Sequence, residues 1–247
     1  MTRGGRAGPA AGQRLRRFVT ESVVLVLIAV VTAALVRAFV LQAFYVPSGS
    51  MQPTIKKGER ILVTKLGDVE RGDVVVFEDP ASWLPPSERP DERDGVVRSA
   101  LEFVGVLPPS DRSYLVKRLV GVSGDHVVCC DAEGRVTVNG EPIEEPYLYP
   151  GNEPSVREFD VVVPEDAIWV MGDHRANSGD SRAHLRDGTA FVPVSNIVGR
   201  AFAAVWPLSE MHWLGSAETF EEVPPPEQPA PEEPVVNDVA RDPRLVG

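Results

Sequence analysis

The sequence predicts a mainly β protein behind an N-terminal transmembrane helix, with a short helical insertion among the strands. Three observations predict it. The stretch "SVVLVLIAVVTAALV" (22–36) carries no charge. Short valine-rich runs ("RILVTKL", "DVVVF", "YLVKRLVGV", "HVVCC", "RVTVNG", "FDVVVP", "AIWVMGD", "NIVGRAFAAVW") recur between Gly, Pro, Asn and Asp, the pattern of strands joined by tight turns. In "DGVVRSALEFVGVL" (94–107), Val97, Ala100, Leu101 and Val104 fall at i, i+3, i+4 and i+7, the period of an amphipathic helix.

The N-terminus comes first. Residues 1–17 hold five arginines and no acid, whereas the rest of the chain has 20 basic against 36 acidic side chains. Val23–Leu41 is 19 positions long, roughly 28 Å as a helix and close to the ~30 Å hydrocarbon layer of a bilayer. Arg37 lies near one end, where a long side chain reaches the interface. A buried core helix fits neither this length nor the basic flank. A cleaved leader would need an A-x-A site after the apolar run, and no convincing one follows. An uncleaved signal anchor over 18–41 is therefore expected. Residues 1–17 stay in the cytoplasm by the positive-inside rule, and the chain from 42 onward lies outside. A chain this acidic beyond its first residues excludes general nucleic-acid binding, which needs clustered Lys and Arg.

The β-rich domain is expected over 42–215. An insertion occupies 79–113, bracketed by "WLPPSERP" and "LPPSD". A small β-hairpin subdomain occupies 124–165, with the hairpin turn at Asp131–Gly134. From Ser216 the composition shifts to seven prolines and eight acids against two arginines, too polar to offset ordering entropy. Residues 216–247 are thus expected to be a disordered acidic tail. Cys129 and Cys130 are adjacent. Two sulfurs cannot build a four-ligand zinc site, and the four histidines show no ligand spacing around them. Outside the cytoplasm the pair can be a disulfide between neighbours, free thiols or half of an intermolecular link. Two small buried apolar residues on a strand fit as well.

Three segments carry chemistry. "YVPSGSMQPT" (45–54) sets Ser48 and Ser50 in a proline-fenced turn beside the membrane. "YLVKRLVGV" places Lys117 among apolar neighbours on a strand. "MGDHRANSGDSR" (171–182) packs Gly, Asp, Arg, Asn and Ser into a loop that suits bracing a site. None of His126, His174, His184 and His212 has a G-x-S-x-G elbow to serve. The other route to an activated serine is a lysine that burial keeps neutral. Taken singly, a proline-fenced serine is a turn residue, a strand lysine a surface guard, and the polar loop a capped surface loop.

Together "PSGSMQPT", "RGDVVVF" (71–77), "KRLVGVSGD" (117–125) and "GDHRANSGDSR" (172–182), in this order behind an anchor, resemble the bacterial type I signal peptidases. These are membrane-anchored serine proteases with a Ser-Lys dyad and an antiparallel β-sheet catalytic domain like that of self-cleaving repressors. The resemblance covers roughly 20–207. It implies Ser50 as nucleophile, Lys117 as general base, Ser48 with the Ser50 N–H as oxyanion hole, and Ser178 as the residue that orients the lysine. Gly172, Asp173, Arg118, Asp180 and Arg182 would support the site. Phe44, Val46, Met51, Ile55, Val76, Leu115 and Val116 would line apolar pockets for small substrate residues at −1 and −3, the A-x-A pattern.

The implied substrates are preprotein signal peptides, added as a strand beside an exposed sheet edge. The bilayer and the protein translocase are implied partners, and no metal or cofactor is implied. His174 departs from the asparagine common in the family, and the 79–113 insertion exceeds the family minimum. The lysine points away from the reticulum-type relatives, which use histidine. Competing readings are a self-cleaving repressor, for which no DNA-binding module is visible, and an inactive anchored β domain that binds exported peptides or acts as an assembly partner. Trp206 and Trp213 fit an interfacial, a core or an ordinary surface position.

Overall fold

The computed structural model describes residues 10–80, 83–84 and 113–237. The expected insertion helix at 94–107 lies outside them. Helix α1 (Ala10–Phe39) runs unbroken through the apolar stretch, and Gly12–Ala34 is long and apolar enough to cross a bilayer with none of it buried against protein. Leu25, Val26 and Leu27, neighbours that point to different sides of the helix, are all exposed. A helix apolar all round has no place in water. It begins earlier than the expected span and ends two residues sooner.

Thirteen strands follow among the described residues: β1 (Leu41–Tyr45), β2 (Arg60–Thr64), β3 (Val74–Glu78), β4 (Tyr114–Gly121), β5 (His126–Cys129), β6 (Val136–Val138), β7 (Glu141–Pro142), β8 (Phe159–Val162), β9 (Ala167–Met171), β10 (Val192–Pro193), β11 (Ile197–Trp206), β12 (His212–Trp213) and β13 (Val235–Val236). The first sheet runs β1-β2-β11-β3-β4-β9-β10, the second β13-β8-β5-β6-β7, and every pairing is antiparallel. β11 is long enough to serve several partners. It pairs β2 along 200–206, while β3 and β12 share its other edge at 197–200 and 203–204. The first sheet curls so far that Phe44 of β1 and Tyr114 of β4, four strands apart in the order, meet with ring centroids 5.0 Å apart.

β5 and β8 alternate, one residue in and one partly out, whereas β9 and most of β3 are buried on both faces. One core cluster joins the two sheets through Val120, Val127, Phe159, Val161, Trp169 and Met171. A second lies inside the curl and holds Phe44, Val46, Met51, Ile55, Ile61 and Val76. The expected hairpin is β5–β6, with Gly134 N donating to Asp131 O at its turn. Cys129 and Cys130 at the end of β5 are joined by a disulfide, Cα atoms 2.9 Å apart. Cys129 is also a core residue, and Cys130 packs against the same cluster.

The tail differs from the expectation of disorder as far as residue 237. β13 adds to the β8 edge, Val235 opposite Val162. Phe220 and Val223 are buried in the core cluster between the sheets. The backbone is fixed as well: Ala217 N donates to Gly72 O, Glu165 N to Pro231 O, and Asn139 Nδ2 to Pro224 O. Average composition concealed a few well-placed apolar residues, and prolines that need no N–H partner lie along a sheet edge without cost to the ladder. Residues 238–247 lie outside the described residues. Deleting the chain after Gly215 removes two buried side chains worth ~1.5–3 kcal/mol each. At ~2–4 °C per kcal/mol for a domain of this size, thermal unfolding should shift down by about 10 °C.

Candidate active site

Ser50 sits ten residues past Val40, at the end of the segment that β1 begins. The loop is wound tightly: Gln52 N donates to Gly49 O, Ile55 N to Met51 O, and Gly58 N to Val46 O. Apolar Val46, Met51 and Ile55 turn inward, which leaves Ser48 exposed and Ser50 at the rim, 5% accessible. Ser48 Oγ and Ser50 Oγ are 3.2 Å apart.

Lys117 reaches Ser50 from β4. Its Nζ donates to Ser50 Oγ at 2.9 Å and to Val116 O at 3.0 Å, and the residue is 3% accessible. Burial pulls this ammonium from 10.5 down to about 8. Asp180 and Asp173 oppose the shift by favouring the charge, and Arg182 assists it. An amine this close to neutrality accepts a proton near physiological pH, which a free lysine does not.

The 171–182 loop is a lattice of buried ion pairs. Arg118, beside Lys117 on β4, clamps Asp173 with two bonds of 2.7 and 2.8 Å and donates to Gly72 O. Thr54 donates its hydroxyl to the same Asp173 carboxylate, which ties the nucleophile loop to this lattice. Asp180 accepts from Arg182 Nε and Nη2 and from Gly172 N. Burial alone would raise the Asp180 pKa, but Arg182 and the Gly172 N–H outweigh it and hold the carboxylate below its ordinary value. His174 N donates to Ser50 O at 3.0 Å, and its ring stacks on Tyr149 at 4.0 Å.

Ser50, Lys117, Ser48, Gly172, Asp173, Arg118, Asp180 and Arg182 thus form one contiguous site. Ser178 is placed differently from the expectation. Lys117 Nζ is turned to Ser50 and the Val116 carbonyl, and the buried Ser178 hydroxyl lies by Asp180, whose carboxylate it helps to hold below its ordinary value. Of the seven expected pocket residues, Phe44, Val46, Met51, Ile55 and Val76 share one buried cluster and Val116 packs against it. Leu115 packs elsewhere, against the cluster of Val75 and Phe77.

Three contributors carry no assignment from the sequence: Arg175, Glu145 and Tyr147. Arg175 is buried and ion-paired to buried Glu145, and its Nε donates to Gly172 O. Tyr147 lies under the Arg118 guanidinium, 4.0 Å from ring centroid to Cζ. Arg175 sits within the polar loop and could have been read from it. Glu145 and Tyr147 come from "EEPYLYP", which carries no signal of its own. Among the described residues no group of three His, Cys, Asp or Glu is arranged to hold a metal.

A curled antiparallel β domain that sets a serine hydroxyl against a buried, near-neutral amine has the equipment of a serine hydrolase with an amine base. The family model for signal peptidase, peptidase S26, matches residues 19–206. Signal peptidase I of Mycobacterium tuberculosis (strain CDC 1551 / Oshkosh) is 40% identical over 230 residues, spanning 81% of this chain and 76% of the relative. Signal peptidase I of Leptolyngbya laminosa is 32% identical over 219 residues, spanning 87% and 93%. Signal peptidase I T of Bacillus subtilis (strain 168) is 29% identical over 198 residues, spanning 75% and 84%. The chain belongs to the signal peptidase (peptidase S26) family. Its function is that of a signal peptidase, a membrane-anchored serine peptidase acting on preprotein signal peptides.

Proposed function

We propose that the chain cleaves exported preproteins after small residues at −1 and −3 through an acyl-enzyme on Ser50, with Lys117 as the base. The observation that carries this reading is the 2.9 Å contact between Lys117 Nζ and Ser50 Oγ in a buried setting. Neutral Lys117 takes the Ser50 proton as Oγ attacks the scissile carbonyl. The oxyanion accepts from the Ser50 N–H and the Ser48 hydroxyl. The ammonium then protonates the leaving amine, and the neutral amine next activates water against the ester. Ser178 would accept the third N–H of the ammonium, since Lys117 already uses two donors and a hydroxyl that donates to Asp180 keeps a lone pair to offer.

The signal peptide would lie extended in the gap between β1 and β4. β1 pairs only β2 among the described residues, and β4 has β3 on one side at 114–118 while β9 begins to pair only at Arg118. Neither edge has a strand partner on its open side there among the described residues, which suits addition of an extended peptide. In this reading 1–17 are cytoplasmic, 18–41 span the membrane once, and the peptidase domain from 42 lies outside. Exposed Trp206, Leu208, Met211 and Trp213 support contact of that domain with the bilayer, where tryptophans favour the interface. The translocase would deliver the substrate.

The test uses the full chain in detergent with a purified preprotein. The wild type should release a mature chain whose mass fixes the cut after an A-x-A site, and Ser50→Ala should release none. Cleavage retained in Ser50→Ala would refute the nucleophile.

A further inference from the structure

His212 lies on β12, outside the hydrogen-bonded lattice of the 171–182 loop, yet both of its ring nitrogens meet backbone carbonyls. Nδ1 is 2.8 Å from Glu210 O and Nε2 is 2.9 Å from Thr54 O. A neutral imidazole has one N–H and one lone pair, so it satisfies one carbonyl and presents a lone pair to the other. Only the doubly protonated ring donates to both. Thr54 is thereby held from two sides, its hydroxyl on Asp173 and its carbonyl on His212. The next residue, Ile55, is fully buried in the cluster with Met51, Val46 and Phe44, the apolar floor beside Ser50.

We propose that His212 is an imidazolium brace: donating from both ring nitrogens, it holds the Thr54–Ile55 turn against the β11–β12 hairpin and so sets the shape of the substrate pocket. It is a positioning residue, since it touches neither Ser50 nor Lys117 and acts through Thr54. The charged groups around it are few. Glu59, whose carboxylate accepts from Lys56 N within the same turn, favours the cation, and Lys56, ion-paired to Glu210, opposes it. Partial burial also works against the charge, but the two carbonyls and Glu59 outweigh it and leave the ring above its ordinary 6.5. The brace is therefore complete in acid and is lost as pH rises through the raised value. The pocket and the base consequently respond to pH in opposite senses: the pocket loosens as Lys117 becomes competent.

This inference deepens the signal-peptidase reading and rests on it for its kinetic arm only. Nitrogen-15 spectra of histidine-labelled full-length protein in micelles, assigned with His212→Gln, should show both His212 nitrogens protonated at pH 6.5. With a peptide substrate that carries A-x-A ahead of its scissile bond, wild-type KM should climb about fivefold to tenfold, the worth of one net intramolecular hydrogen bond, as pH passes the transition seen in the spectra. His212→Arg, which keeps its donors at every pH, should hold KM low and flat. His212→Gln should hold it high and flat, with kcat moving less than KM. A His212 with one bare nitrogen at pH 6.5, or a KM–pH curve identical in all three proteins, overturns the brace. Cleavage surviving in Ser50→Ala would instead overturn the peptidase site, and the nitrogen spectra would still decide the brace.

Discussion

Lys117→Met should abolish cleavage and, at neutral pH, make the folded protein harder to unfold. The catalytic half follows from the base: without an acceptor at 2.9 Å, Ser50 keeps its proton, and loss of a member of such a unit costs about 10⁴-fold or more in kcat. The stability half follows from linkage. The folded protein holds this amine at about 8, whereas an unperturbed lysine stands at 10.5. Between these values the unfolded chain binds more protons, so the wild type gains stability as pH rises from about 8 to about 10.5. Below 8 both states are protonated and the whole cost of the buried ammonium, about 3 kcal/mol at ~1.4 kcal/mol per unit, stands against the fold. Methionine removes that cost. Thermal melts should place Lys117→Met above wild type at pH 7, with the gap closing toward pH 10.5. A variant less stable than wild type at pH 7 would contradict the electrostatic account. In the wild type the same titration sets the rate. The neutral fraction grows about fivefold from pH 7 to pH 8 for a group near 8, and kcat should follow it and flatten above about 9.

Gly172→Ala should damage the site more than any other loss or gain of one methyl group near it. A Cβ there would stand 2.2 Å from Ser178 Oγ, 2.6 Å from Ser50 O and 2.7 Å from Ser178 Cβ. Ser50 O is anchored by His174 N and Gly172 N is pinned to Asp180, so the strain cannot escape to one side and the nucleophile loop must shift. A misplacement near 1 Å costs about 10²-fold in rate, and overpacking costs roughly 1–3 kcal/mol. At Gly179, in the same loop, an added methyl group would meet nothing within 4 Å. Gly179→Ala is the control and should melt and cleave like wild type. Equal kinetics for the two variants would show that the close approach at Gly172 does not constrain Ser50.

The fold was legible where the physics is local. Valine-rich runs between turn residues become strands, and 22–36 lies within one helix. Lys117 lies among apolar neighbours in the sequence, and burial lowers its amine toward about 8. What was hidden depends on partners far away in the chain. Arg175 needs Glu145, thirty residues upstream, and no pattern in "EEPYLYP" announces a buried carboxylate. The hydrogen bonds of Lys117 Nζ go to Ser50 and the Val116 carbonyl, and the second of these, to its own neighbour's backbone, has no signature in the sequence. The acids and prolines of the tail dominate its average composition, whereas Phe220 and Val223 are buried individually.

The tail also governs when the molecule is finished. Residues 216–237 are synthesised after every strand they cover, so β8 keeps an unpaired edge until Val235 and Val236 emerge, and the slot of Phe220 stays empty until that residue does. During that interval the two-sheet core exposes both a sheet edge and apolar surface, the features through which nascent β proteins join one another. A ribosome stalled before residue 220 would leave a chain that already holds Ser50 and Lys117 but is prone to aggregate. Among the described residues it is the 216–237 segment, made long after Ser50 and Lys117, that closes the core.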